Sequence, residues 1–291
     1  MKKTIIIKTG FLIMFIVFVA LAINQFYQYK KSDIIYEQAR ERYHLERAML
    51  IANENLVNQP DNHNPDFNPD LETPEDPVDP QETQEPEETT AENPENNTNT
   101  DPTPATRPSI AEAGDVIGWI TIPGTVIDYP VVQTTDNDFY LTHNYMGNKD
   151  VKGAIYMDFR NEEIGKNRNY NIYGHKMIDG TMFSDLTLYV QDGSYKRYFE
   201  NYNIIKYDNM EIDTEWKIFS AYVVNLDKED YYLYTKYSAD DNFQAFIDEI
   251  NRRSIVKTDI DVGLDDEIIT LVTCNFWYDN ARVIIHAVRI K

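Results

Sequence analysis

Residues 58–109 hold 11 of the chain's 13 prolines and 14 acidic residues, with Arg107 the sole base and no glycine. So little apolar surface cannot offset the entropy of ordering a backbone, and proline stiffness with charge repulsion should keep the segment extended. No core can include it. It reads as a disordered acidic spacer, and folding is confined to its flanks. At about 3 Å per residue its reach is at most on the order of 150 Å, enough to hold a domain well off a membrane. Docking to a basic partner is the alternative reading of its charge.

The amino-terminal flank has two parts. Residues 4–23 are apolar apart from Thr4, Lys8 and Thr9, and follow Lys2 and Lys3. At helical rise they span about 30 Å, the thickness of a bilayer's hydrocarbon core, and Lys8 can snorkel. Residues 1–23 therefore read as a cytoplasmic tip and transmembrane signal anchor, oriented by the positive-inside rule despite Lys30 and Lys31 on the far side. Ala20-Leu21-Ala22 resembles a cleavage site, so a removed leader is the competing reading. Either way the bulk of the chain is extracytoplasmic. Residues 24–57 are charged helix formers, with Leu45, Ala48, Met49, Ala52 and Leu56 at three- and four-residue steps. No heptad persists, so they read as a solvated helical stalk.

Residues 110–291 remain as one domain of ordinary size. Of the net charge of -22, the spacer carries -13 and this domain -12, against +3 in residues 1–57. So acidic a domain argues against nucleic acid as a partner. The lone cysteine, Cys274, excludes an internal disulfide. Strand composition marks residues 116–122, 153–159, 169–173, 202–207, 215–225, 268–273 and 283–290. Helical patterns occupy 138–143, 181–189, 194–200 and 239–252, the last with Phe243, Phe246, Ile247 and Ile250 on one face. These elements predict a mainly β fold, a closed barrel with peripheral helices, with a sandwich as the alternative.

Cys274 ends one β-branched run and Arg282 precedes another. Read as neighbouring strands, the two runs set a thiol and a guanidinium at one rim of a sheet. A thiol is a good nucleophile only as thiolate, which needs a nearby cation or base. Among the histidines, His44 lies in the stalk and His63 in the spacer. His286 is four residues along the strand from Arg282 and reads as a satisfied sheet histidine, while His143 reads as a helix cap. His175 sits in YGHKMIDGTMF, where Gly174 and Gly180 bracket a turn that exposes it, and is the candidate partner for the thiol.

TLVTC followed by Arg282, NIYGHKMIDGTMFSDL and VIGWITIPGTVIDYPVVQ together resemble a sortase, class B in particular, over residues 116–291. The resemblance implies an eight-stranded sortase barrel and a cysteine transpeptidase that joins proteins to a Gram-positive-type cell wall. It matches Cys274 to the nucleophile, His175 to the catalytic histidine and Arg282 to the catalytic arginine. It also sets Asn137 and Tyr232 along the peptide groove, with Leu141 and Leu233 as apolar neighbours. Without it, the same residues read as an inert thiol, a turn histidine, a strand charge, a turn asparagine and a core or surface tyrosine.

In the implied chemistry the Cys274 thiolate attacks a threonine carbonyl and forms a thioacyl enzyme. His175 protonates the leaving amine and later deprotonates the incoming one, and Arg282 donates to the oxyanion or the substrate backbone. The implied partners are sorting-signal peptides of Asn-Pro-x-Thr-like sequence, a cell-wall precursor amine, and the membrane through the amino-terminal helix, with no cofactor and no metal. A pilin-polymerising enzyme using lysine, a cysteine hydrolase and an inactive peptide-binding barrel are the alternatives. Val272 stands where class B enzymes often carry serine, Asn275 where an acid is common, and the turn from Cys274 to Arg282 is short for the class. No helix follows the last strand and no Asp-Pro-aromatic motif precedes the domain, both unlike class C. The acids at 259, 261 and 265–267 around Gly263 lack EF-hand spacing and read as a solvated turn.

Overall fold

Two β-branched runs expected to be neighbours form strands β7 (Ile268–Asn275) and β8 (Ala281–Arg289), paired antiparallel from Ile268↔Val288 to Asn275↔Ala281. Six further strands complete the sheet: β1 (Val116–Thr121), β2 (Asp128–Val132), β3 (Ile155–Met157), β4 (Asn169–Tyr173), β5 (Ile204–Asp208) and β6 (Asp213–Asn225). They close into a barrel in the order β1-β2-β3-β4-β7-β8-β6-β5, which leaves no edge to pair with another chain. Pairs β2–β3 and β4–β7 are parallel; the rest are antiparallel. In this computed structural model the described residues are 2–57, 115–209, 212–229, 231–275 and 280–291. The spacer expected over 58–109, with His63, and the side chain of Cys274 lie outside them.

Strands β7 and β8 are apolar without alternation because both of their faces are covered. One face joins Ile120, Val131, Ile155, Ile172 and Ile218 in one buried cluster. The other packs Ile268, Val272, Ile284 and Val288 against Phe243, Ile247 and Ile250 of helix α3 (Asp240–Arg253). That helix carries Asp240 and Asp241 in its first turn and Arg252 and Arg253 in its last, complementing its dipole. The short helix α2 (Tyr195–Asn201) lies where a helix was expected.

Sequence reading missed β2, whose Pro130 lacks an N–H and demotes any strand assignment; here Pro130 pairs only with Trp119 of β1. Two segments expected as helices, 138–143 and 181–189, are 3₁₀ turns over Phe139–Leu141 and Ser184–Tyr189. His143 does cap: its Nδ1–H donates to the Phe139 carbonyl at 2.8 Å.

The stalk requires a larger correction. Helix α1 runs from Lys2 to Val57 without a break, and it is long and apolar enough to cross a membrane, with Phe11 to Phe26 exposed. Beyond that stretch it is not solvated on all sides. Ser32, Tyr36, Ala39 and Tyr43, spaced by four, three and four residues, are buried on the barrel, whereas Leu45 and Met49 of the expected apolar stripe are exposed. Tyr43 stacks on Trp119 with ring centroids 4.2 Å apart and donates to Asp208 at 2.7 Å. Arg40 pairs with Asp128 at 3.2 Å and Arg47 with Asp208 at 2.8 Å. Tyrosine escaped the periodicity count because its ring packs while its hydroxyl needs a partner. This docked segment joins the apolar part of α1 to the barrel without passing through residues 58–109, so the spacer does not set the distance between them.

His286 is the satisfied sheet histidine that its position suggested. It is buried on β8, where Tyr222 Oη–H donates to Nε2 at 2.8 Å and Nδ1–H donates to Thr270 Oγ1 at 2.9 Å. Burial pushes its pKa from 6.5 down to about 3. The folded state thus resists a proton that the unfolded chain takes up below pH 6.5. Between pH 6.5 and about 3, stability from this group falls as pH falls, by about 1.4 kcal/mol per unit at most. Thermal melts over that range should show a shallower slope for His286→Gln than for the native chain; equal slopes would exclude the assignment.

Candidate active site

Three neighbouring strands, β4, β7 and β8, end at one rim. The parallel β4–β7 register pairs Tyr173 with Val272. Past it, Gly174 N–H donates to the Val272 carbonyl at 3.1 Å and Thr273 Oγ1–H to the Gly174 carbonyl at 2.8 Å. The next positions along the two strands are His175 and Cys274. On the other side Cys274 is the direct cross-strand partner of Arg282, a spacing of about 5 Å between Cα atoms. Backbone placement therefore sets Cys274 and Arg282 side by side on adjacent strands, with His175 just past the end of β4 beside them.

His175 is half-buried, and its Nε2–H donates to the Leu141 carbonyl at 2.8 Å. A carbonyl only accepts, so this bond fixes a proton on Nε2. Two glycines near the ring leave no space for a side chain. Gly174 lies so close to Ile155 and Phe183 that no side chain fits there. Gly153, at φ +60°, would drive a Cβ to within 2.5 Å of the Tyr140 carbonyl and 3.1 Å of the imidazole. Arg282 is half-buried, with one guanidinium N–H donating to the Ala281 carbonyl at 3.1 Å.

The remaining expected groove residues divide into two groups. Leu141 touches the site through its carbonyl while its side chain is 37% exposed. Asn137 Oδ1 accepts from Phe159 N–H at 3.0 Å, tying its turn to the end of β3. Leu233 accepts through its carbonyl from Arg160 at 3.0 Å. Tyr232 is exposed and lines a cavity of about 610 Å³ against α3 together with Tyr237 and Phe246. It is not brought to His175 by any contact among the described residues.

Sequence reasoning missed the network that holds the 231–238 loop. Arg160 clasps buried Asp158 at 2.8 and 2.6 Å, and Tyr173 Oη–H donates to the same carboxylate at 2.9 Å. Burial works to raise the Asp158 pKa, but the Arg160 hydrogen bonds outweigh it and hold the carboxyl below its usual range. Asn169 Nδ2–H donates to the Tyr234 carbonyl at 2.7 Å, and Tyr231 and Tyr222 share a short hydroxyl contact. The acids around Gly263 make turn contacts: Asp266 accepts from Gly263 N–H and Glu267 pairs with Arg289. No group of three candidate metal ligands occurs among the described residues.

A sortase-domain family model matches residues 120–290. The chain is 36% identical over 179 residues to sortase B of Staphylococcus aureus, covering 61% of this chain and 71% of that one. The X-ray structure of Clostridium perfringens sortase B matches at 32% identity and TM-score 0.58, covering 62% of this chain and 98% of the other. A Staphylococcus aureus sortase B–substrate complex matches at 34% identity and TM-score 0.57, covering 62% and 83%.

Proposed function

The chain belongs to the sortase family and is of the class B kind, and on that premise we propose that it cleaves a sorting signal after threonine and transfers the acyl group to a cell-wall precursor amine. The observation that carries this reading is the placement of Cys274 opposite Arg282 on adjacent strands β7 and β8, with His175 just past the end of neighbouring β4 at the same rim. Cys274 acts as the nucleophile, forming a thioester with the threonine carbonyl carbon as the C–N bond breaks. His175, its tautomer set by Leu141, gives a proton to the departing amine through Nδ1 and takes one from the incoming amine. Arg282 donates to the oxygen that gains charge at the tetrahedral stage.

Substrate occupies the groove between the Asn137–Leu141 turn and the loop bearing Tyr232 and Leu233, and an Asn-Pro-x-Thr-like motif is the expected sequence. Helix α1 crosses the membrane with its amino terminus inside, which puts the barrel outside the cytoplasm. The test is product analysis on the full-length protein in detergent, given such peptides with a glycine amine and a lysine amine in competition. Ligation of the glycine amine after threonine is expected. Lysine ligation would make the protein a pilin-type polymerase, free acid alone a hydrolase, and no cleavage a binding module.

A further inference from the structure

Lys152 is a lysine with 1% of its side chain exposed. Its ammonium donates to Asp33 of α1 at 2.5 Å and to Thr181 Oγ1 at 3.0 Å, and pairs with Asp179 at 2.6 Å. The Tyr29 ring of α1 lies 5.4 Å from the same nitrogen. An ammonium buried without partners costs several kcal/mol, and this one is compensated from two directions at once. Asp179 and Thr181 belong to the loop that begins at His175. One lysine therefore joins the amino-terminal helix to the histidine loop, across 119 residues of sequence.

The next residue makes the second link. Tyr36 Oη–H of α1 donates to the Gly153 carbonyl at 2.5 Å. On its other side Gly153 leaves so little space that a side chain there would run into the Tyr140 and Leu141 carbonyls and the edge of the His175 ring. Leu141 is the group that orients the imidazole. Residues 152 and 153 thus form a plate held by α1 on one side and bearing on the histidine and its hydrogen-bond acceptor on the other.

We propose that the docked part of α1 is a positioning element for His175, with Asp33 and Tyr36 acting through Lys152 and Gly153. This rests on the reading of His175 as the acid–base group. Charge at Lys152 is preserved in the fold: burial depresses its pKa, but the hydrogen bonds and charges of Asp179 and Asp33 more than restore it. None of Asp33, Tyr36 or Lys152 is expected to touch substrate, so the effect falls on the geometry of the chemical step and leaves binding alone. A barrel cut off at residue 110 would lack half of this clamp.

The test uses the full-length protein in detergent with Asp33→Asn, Tyr36→Phe, the double variant and Asp33→Glu. Thioacylation by a sorting peptide is expected to lose about ten-fold in kcat in the double variant, with KM unchanged. Hydrogen exchange should quicken at amides 175–183 but not in β6, β7 or β8, and Asp33→Glu should restore the rate. Native kcat and native exchange in the double variant would overturn the proposal. So would a loss of protection throughout the barrel, which would show a stabilising role only. If the native protein does not turn over any sorting peptide, the function reading fails first, and exchange at 175–183 still decides whether the clamp holds that loop.

Discussion

Full-length protein carrying His175→Ala will form the thioacyl enzyme about 10³-fold more slowly than the native chain, with sorting-peptide KM little changed. On the proposed mechanism the imidazole has two tasks that no neighbour can assume: to accompany the thiolate as a cation and to supply the proton without which the amine is a poor leaving group. The bond from Nε2–H to the Leu141 carbonyl helps to orient the ring, and the proposed mechanism uses Nδ1 for the proton. Residual activity should also lose the limb of the pH–rate profile that a titrating imidazole produces. Quenched-flow mass spectrometry of the acyl enzyme measures the rate directly. A loss below ten-fold would remove His175 from the chemistry.

Arg282→Ala will lower kcat/KM for the sorting peptide by about 10²-fold to 10³-fold, the scale of removing an oxyanion donor. Arg282 is the cross-strand partner of Cys274, and one of its N–H groups is already used on the Ala281 carbonyl. The rest of the fork is what a developing oxyanion or a substrate carbonyl can meet. Arg282→Lys keeps the charge but loses the planar fork, so it should recover only a small part of the rate. Full activity in the lysine variant would show that charge alone suffices and that directed hydrogen bonding does not contribute.

The parts of the fold that could be read in advance were those in which local chemistry and tertiary environment agree. Runs 268–273 and 283–290 are β-branched and flanked by turn residues, and they became β7 and β8 with Cys274 facing Arg282 across the ladder. The apolar face of α3 was visible at Phe243, Ile247 and Ile250 because helical spacing and burial coincide there. Where the two conflict, reading failed: Pro130 argues against a strand that tertiary pairing nevertheless forms.

The candidate site residues leave unequal traces in the sequence. Cys274 and Arg282 lie at the ends of β-branched runs, and His175 follows Gly174, where a Cβ would meet Ile155 and Phe183, so each leaves a local trace. Arg160 does not: its value comes from Asp158 beside it and from the Leu233 carbonyl 73 residues away. Lys152 reads as a surface lysine until Asp33 and Asp179 are brought to it. The docked face of α1 was misassigned because Tyr36 and Tyr43 bury rings whose hydroxyls are satisfied by Gly153 and Asp208, far along the chain.

Cys274 is the chain's only cysteine, so intact mass spectrometry of the full-length protein with an Asn-Pro-x-Thr peptide reads the central chemistry without ambiguity of site. An added mass equal to the acyl fragment ending in threonine, discharged by an amine and missing in Cys274→Ala, is the expected result. An adduct that survives Cys274→Ala, or folded native protein that acquires none across a panel of Pro-x-Thr peptides, would contradict it.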